Sequence, residues 1–279
     1  MIQDIHPHRI DMTFSVHPPA DTDFVIVLKG NKVLLAAEGD GRSLPEYSGL
    51  RQAVPGLADR LVRMFTVDDR AVYFHDGDPG DLAGHVYDDI MRFREFSPDW
   101  QAFAGVTGCH LGQWYAANRF CGSCGAAMAP KTDERAMQCG ACGMVVYPRI
   151  SPAVIVGVVD DDRILLTRYA NRPGSRLGAL IAGFMEIGET LEETVQREVF
   201  EEVGLRVKNP RYYKSQPWAF SGSVLVGFYV DLDGSDEITM DTVELQEAVW
   251  VRRDDLDPNL DSISLTAEMI ETFRQGKMP

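Results

Sequence analysis

Three glutamates in one short run, Glu198, Glu201 and Glu202, are the side chains of this sequence best suited to chemistry. On a helix they stand at i, i+3 and i+4 and share one face. Like charges so placed repel, and a cation must offset them. Hard carboxylate oxygens in that arrangement suit Mg²⁺ or Mn²⁺, which bind few carboxylates and complete their shell with water and substrate phosphates. The run closes a longer string, GFMEIGETLEETVQREVFEEVGL over residues 183 to 205. It reads G-x5-E-x7-R-E-U-x-E-E-x-G-U, with U aliphatic, and fixes Gly183, Glu189, Arg197 and Gly204 as well. A solvated charged helix is the plain alternative for a glutamate-rich run. The loop glycine, the single arginine and the carboxylates at set spacing favour the metal site.

A second group able to bind metal lies upstream. Cys121 and Cys124 form one C-x-x-C and Cys139 and Cys142 another, fourteen residues apart. FCGSCG and QCGACG place glycines where two tight knuckles must wrap a tetrahedral ion. The pattern predicts a four-thiolate zinc site, closed and therefore structural. Two disulfides are the other reading, less suited to a chain with no sign of secretion. The fifth cysteine, Cys109, has no evident partner and reads as an ordinary buried side chain.

The elements that must hold these residues are partly legible. Thr190 followed by Glu193 predicts a capping box, leaving 183–189 as a glycine-bearing loop before the helix. Leu191, Val195, Val199 and Val203 recur every four residues as an apolar ridge, and Glu198 and Glu202 fall beside it, at the edge of the core. Gly204 is placed to end the helix. FVIVLK (24–29) and KVLLAA (32–37) flank Gly30-Asn31 as a hairpin, and AVYFH (71–75) reads as a further strand. A helix is expected over about 99–117, leading into the cysteine segment. AVIVGVV (153–159) and RILLTRY (163–169) read as a hairpin, and the acidic stretch 231–241 as a solvated loop. His6 and His8, beside Pro7, read as loop residues.

Length and charge bound the function. The 279 residues exceed the usual single domain, and 45% hydrophobic content can supply more than one core. A formal net charge of −15 argues against general coating of nucleic acid, while leaving room for binding one end of an RNA. No run of 18 apolar residues occurs, and MIQDIHPHRIDMTF lacks the pattern of a signal peptide. The expectation is a cytoplasmic protein without a membrane partner.

The string at 183–205 resembles the Nudix box of hydrolases that cleave a nucleoside diphosphate linked to another moiety. The resemblance implies an α+β chain: a Nudix α/β/α sandwich preceded by a four-cysteine zinc ribbon and an N-terminal α/β domain. The expected division is 1–98, a helical connector 99–117, the ribbon 118–147 and the Nudix domain 148–279. By the same resemblance Glu198 and Glu202 hold Mg²⁺ or Mn²⁺, Glu201 assists and Glu202 activates water. Arg197 and Glu189 brace loop and helix.

Downstream comes SQPWAFSGS, residues 215–223, whose Trp218 and Phe220 offer ring faces for stacking. Ribbon, YPRISPAVIV, box and SQPW in that order are similar to the bacterial NADH pyrophosphatase subgroup, also called NAD-capped RNA hydrolases. The subgroup's array reads SQPWPFPxS, and here Ala219 and Ser221 stand where it has prolines. The resemblance implies substrate contacts from Gln216, Pro217, Trp218, Ala219, Phe220, Ser221, Gly222 and Ser223, and from Glu134 and Tyr147. It adds the Ala182 carbonyl and Glu244 as metal ligands, with Glu247 a close rival to Glu244, and it implies a homodimer. The reaction implied is cleavage of the central pyrophosphate of NADH or NAD, giving AMP and nicotinamide mononucleotide, or removal of an NAD cap from an RNA 5′ end. Hydrolysis of ADP-ribose, FAD or a dinucleoside polyphosphate is the alternative activity. A non-catalytic nucleotide-sensing zinc-ribbon protein is the alternative from another class.

Overall fold

The computed structural model describes residues 1–39, 41–170, 177–258 and 263–279. The chain forms two compact units, one of residues 2–149 and one built on residues 150–279.

In the first unit, strands β1 (Ile10–Asp11), β2 (Phe24–Lys29), β3 (Lys32–Glu38) and β4 (Gly41–Ser43) precede the short helix α1 (Tyr47–Arg51). Strands β5 (Leu61–Val67), β6 (Arg70–His75) and β7 (His85–Asp89) follow, then helix α2 (Asp99–Ala117). The strands make one sheet in the order β1-β5-β6-β2-β3-β4, with β7 also on β3. The hairpin expected at Gly30-Asn31 forms, with Leu28 opposite Val33. Helix α2 lies close on this sheet because it carries glycines at the contact. A Cβ at Gly108 would stand 2.7 Å from Ile26, and one at Gly112 2.8 Å from Phe74. Cys109 is buried in the same helix, and burial pushes its thiol pKa up. His8 pairs with Asp68 at 2.8 Å. Three short strands, β8 (Met128–Pro130), β9 (Met137–Cys139) and β10 (Val145–Val146), complete the cysteine segment.

The second unit starts with β11 (Ser151–Asp160), β12 (Arg163–Tyr169) and β13 (Ile181–Phe184), then helix α3 (Leu191–Val203). After these come β14 (Val207–Trp218), β15 (Ser223–Leu232), β16 (Leu245–Arg252) and helix α4 (Leu265–Arg274). The sheet order is β14-β15-β11-β12-β16, with β13 on β11. Alternation along β11 sends Val154, Val156 and Val158 to one face, where Val195, Val199 and Val203 of α3 cover them. Ile155 and Val159 go to the other face, under Leu265, Met269 and Phe273 of α4. This is the expected α/β/α sandwich, and the ridge of α3 is its inner seam.

The strand register decides where chemistry can gather. Ala153 pairs with Phe184, Ser151 with Ser223, and Tyr169 with Leu245 at the end of β12 far from the Asp160–Arg163 turn. The box loop after β13, the 218–223 turn and the segment entering β16 therefore all leave the sheet at its Ser151 end.

Segment 231–241 departs from the expected solvated loop. Asp231 and Leu232 finish β15, and Ile238 and Met240 pack on the α3 side of the core. Among the described residues no helix is long and apolar enough to cross a membrane.

Candidate active site

Helix α3 begins as its sequence requires. The Thr190 hydroxyl accepts from the Glu193 amide, and the Glu193 carboxylate accepts from the Thr190 amide. It ends at Gly204, whose φ of 70° is left-handed and favours glycine. Between these caps Arg197 is the hub. Its Nε and Nη2 donate to Glu189 Oε1 and Oε2 at 2.5 and 2.9 Å, and Nη2 also donates to the Phe184 carbonyl at 2.9 Å. Nη1 donates to Glu198 at 2.8 Å and Glu201 at 2.9 Å. The arginine ties the loop to the helix and shares its one positive charge among three carboxylates. Its grip draws Glu189 down to a pKa of about 2, with the Glu186 amide assisting.

Glu202 is placed differently. It is 2% exposed, and neither carboxylate oxygen has a hydrogen-bond partner of good geometry. Burial raises its pKa to about 8; the nearby Ala182 amide opposes this, and the charges of Glu198, Glu244 and Asp241 add to it. A buried carboxylate with two orphaned oxygens is costly unless a cation or a proton meets it. Glu198 shares the environment. Burial raises its pKa, Arg197 opposes the shift, and Glu201 and Glu244 reinforce it. Its carboxylate lies against Gly183 on β13, where an added Cβ would stand 1.9 Å from Cδ. Gly183, expected in the loop, is thus a strand residue paired with Val154, and its missing side chain makes a cradle for Glu198.

Glu244 is exposed on the turn before β16, and its charge reaches both Glu198 and Glu202. Glu247, its rival in the sequence, is held by Arg168 at 2.6 Å. Ala182 pairs with Ile155 in the sheet. The glutamates are not drawn tightly together, since Glu198 and Glu201 are each held on Arg197. Their donor set, hard oxygens around one orphaned buried carboxylate, fits a divalent ion.

The four cysteines are drawn together. Cys121 and Cys142 sulfurs are 3.6 Å apart, Cys124 and Cys139 3.5 Å, and all four lie within 4.8 Å. A disulfide needs about 2.0 Å, while tetrahedral zinc at 2.3 Å places sulfurs about 3.8 Å apart. The cysteines are free thiols, so the disulfide reading falls. Each knuckle closes on a glycine of positive φ: Gly125 (74°) donates to the Cys121 carbonyl and Gly143 (79°) to that of Cys139. Amides of Cys142 and Ala141 pull the Cys139 pKa down to about 6, the thiolate form that zinc requires.

In the ribbon, Tyr147 donates to Glu134 Oε1 at 3.3 Å, and Lys131 donates to the same oxygen at 2.5 Å. Lys131, which the sequence does not single out, thus holds the Glu134 carboxylate.

The segment 215–223 divides between surface and interior. Trp218 and Phe220 lie half-buried at a ring separation of 4.9 Å, and the Ser221 and Ser223 hydroxyls meet at 2.9 Å. Pro217, Ala219 and Gly222 belong to the same strand end and turn. Gln216, expected to touch substrate, has its side chain turned inward and fully buried. It donates to the Ile263 carbonyl at 2.8 Å and accepts from the Leu265 amide at 2.7 Å, bracing the entry to α4.

Comparison with known proteins agrees with this geometry. Residues 149–273 match the NUDIX domain family, and residues 116–147 match the NADH pyrophosphatase zinc ribbon domain.

The chain thus carries a Nudix domain over residues 149–273 and a zinc ribbon of the NADH pyrophosphatase type over residues 116–147.

Over 149 residues, 53% of the chain, it is 47% identical to the NAD-capped RNA hydrolase NudC of Enterobacter sp. (strain 638), covering 57% of that relative. Identity to the protein of the same name from Salmonella heidelberg (strain SL476) is 46% over the same shares. The chain thus spans about half the length of the curated relatives it matches. A crystal structure of a NUDIX hydrolase from Nitrosomonas europaea aligns with a TM-score of 0.48 at 22% identity, over 57% of this chain and 92% of that one. Within the Nudix unit, Gly183 makes room for the Glu198 carboxylate, Arg197 ties Glu189 to Glu198 and Glu201, and the charges of Glu198 and Glu244 reach Glu202.

Proposed function

We propose that this protein hydrolyses the central pyrophosphate of NADH or NAD to AMP and nicotinamide mononucleotide, and removes NAD caps from RNA 5′ ends. The orphaned, buried carboxylate of Glu202 beside Glu198 and Glu244 carries the reading. The ribbon type, and the name borne by the relatives at 46–47% identity, supply the choice of substrate.

Glu198, Glu202, Glu244 and the Ala182 carbonyl would hold Mg²⁺ or Mn²⁺, with Glu201 at their margin. The ion, when bound, neutralises phosphate oxygens and lowers the pKa of a coordinated water. Glu202 takes up the proton of the attacking water, a role open to its carboxylate once a neighbouring cation offsets the burial and like charges that otherwise favour its protonated form. Arg197 and Glu189 keep loop and helix in register. Trp218 and Phe220 stack on the dinucleotide's rings, the backbone and small side chains of Pro217, Ala219, Ser221, Gly222 and Ser223 shape the rim, and Glu134 with Tyr147 contacts the nucleotide. Gln216 acts from behind as a strut. Zinc on Cys121, Cys124, Cys139 and Cys142 is structural. Residues 1–98 form an N-terminal domain, 99–117 a connector, 118–147 the ribbon and 148–279 the catalytic domain of a cytoplasmic homodimer.

The test is a chromatographic product assay with NADH, NAD⁺, ADP-ribose and FAD, each with Mg²⁺, Mn²⁺ or chelator. Metal-dependent AMP and nicotinamide mononucleotide, fastest from NADH and lost in Glu202→Gln, are expected. Faster cleavage of ADP-ribose or FAD would trace to Ala219 and Ser221 and overturn the substrate. Binding without any product would overturn the activity.

A further inference from the structure

We propose that Asp241 is a positioning residue that fixes the turn carrying Glu244 to the end of α3, and so sets the reach of Glu244 towards Glu198 and Glu202. The inference rests on reading these glutamates as divalent-metal ligands.

The turn is anchored on both sides. Ile238 and Met240 before it pack into the α3-side core, and Leu245 after it is buried in the same cluster. The Thr239 amide donates to the Val203 carbonyl at 2.9 Å. Asp241 then makes three bonds. Its amide donates to the carbonyl of Glu202 at 2.8 Å, so it is fastened to a proposed ligand's own backbone. Its Oδ1 accepts from the Val243 amide at 2.8 Å, and its carbonyl accepts from the Leu245 amide at 2.9 Å. Together these close a turn over Thr242, Val243 and Glu244. From the other side, the Ala170 amide donates to the Glu244 carbonyl at 2.9 Å.

Glu244 needs this support. Its side chain is exposed, and among the described residues no hydrogen bond or ion pair holds it. A long, freely rotating side chain can be aimed only by the backbone that bears it. An aspartate that accepts from the amide two residues on is a standard way to fix such a backbone. The acceptor oxygen does the work, so an asparagine should serve nearly as well as the native carboxylate.

Mn²⁺ affinity, titrated by electron paramagnetic resonance on the full chain without nucleotide, tests the inference. Glu244→Gln should weaken binding about tenfold, and Asp241→Ala should come within threefold of it, the scale of lost outer support in metal sites. The double variant should be no weaker than Glu244→Gln alone, because Asp241 acts through Glu244. Asp241→Asn should stay within threefold of wild type, with melting temperatures in chelator confirming that each variant is folded. Asn as damaging as Ala, or independent losses in the double variant, would overturn the inference and make Asp241 a direct charge partner. Should Asp241→Ala fail to fold, the Asn variant alone decides. Wild type that binds no Mn²⁺ would sink the functional reading itself, whereas a weakened Glu244→Gln beside an unaffected Asp241→Ala would sink only the inference.

Discussion

Gly183 leaves the space that the Glu198 carboxylate fills: a Cβ on Gly183 would lie 1.9 Å from Cδ and 2.0 Å from Oε1 of Glu198. No rotation of a methyl group relieves contacts that short. The conflict must displace the Glu198 carboxylate from the place it holds against β13.

Gly183→Ala should therefore lower turnover about 100-fold through misplacement of one ligand, with a stability cost of about 1–3 kcal/mol from overpacking. Steady-state rates and thermal melts read the two effects separately. Turnover within threefold of wild type would remove the cradle argument.

Arg197 binds Glu189 through a fork, which a lysine cannot reproduce. Arg197→Lys should lose melting temperature and activity nearly as much as Arg197→Gln. The acid limb carries the signature. Glu189 has a folded pKa of about 2 against an ordinary 4.5, so its contribution is present above pH 4.5 and is lost as pH falls through 2. Wild type should lose stability across that window more steeply than Arg197→Gln in melts from pH 5 to pH 2.

Glu202 has the opposite sign. Its pKa is raised from 4.5 to about 8, so its favourable contribution to the metal-free fold is present below pH 4.5 and is lost as pH rises through 8. In chelator at pH 8, Glu202→Gln should melt at or above wild type; at pH 5 the difference should shrink. Mg²⁺ or Mn²⁺ should raise the wild-type melting temperature more at pH 8 than at pH 5, and raise that of Glu202→Gln least. A Gln variant less stable than wild type at pH 8 without metal would contradict the account.

The cysteine site makes a compositional prediction. Elemental analysis should find about one zinc per chain. Cys139→Ser should lose it, and protease should then cut first within 118–147, since a small zinc module owes its fold to the ion. Intact zinc content in the variant would count against four-thiolate ligation.

Much of α3 was legible because its signals are local. Thr190 and Glu193, the four-residue ridge and Gly204 each act within a turn or two of themselves. The knuckle glycines Gly125 and Gly143 are local in the same way. The rest depends on pairing that no short stretch encodes. Gln216 faces inward because β14 slips its register against β15 between Tyr212 and Ser215, a shift that exchanges the two faces of a strand. Glu244 and Glu247 part ways only because β16 lays Glu247 opposite Arg168. Segment 231–241 reads as solvated by composition, yet Ile238 and Met240 find a core that distant residues build.

The register of the second sheet also gives the Nudix unit a working end and an idle one. Box loop, stacking turn and the Glu244 turn leave beside Ser151, while the Asp161–Asp162 turn is exposed at the other end of a ten-residue strand, about 30 Å away. A fluorophore or surface tether attached at Asp161 would report on or immobilise the protein with the length of the sheet between the label and the carboxylates.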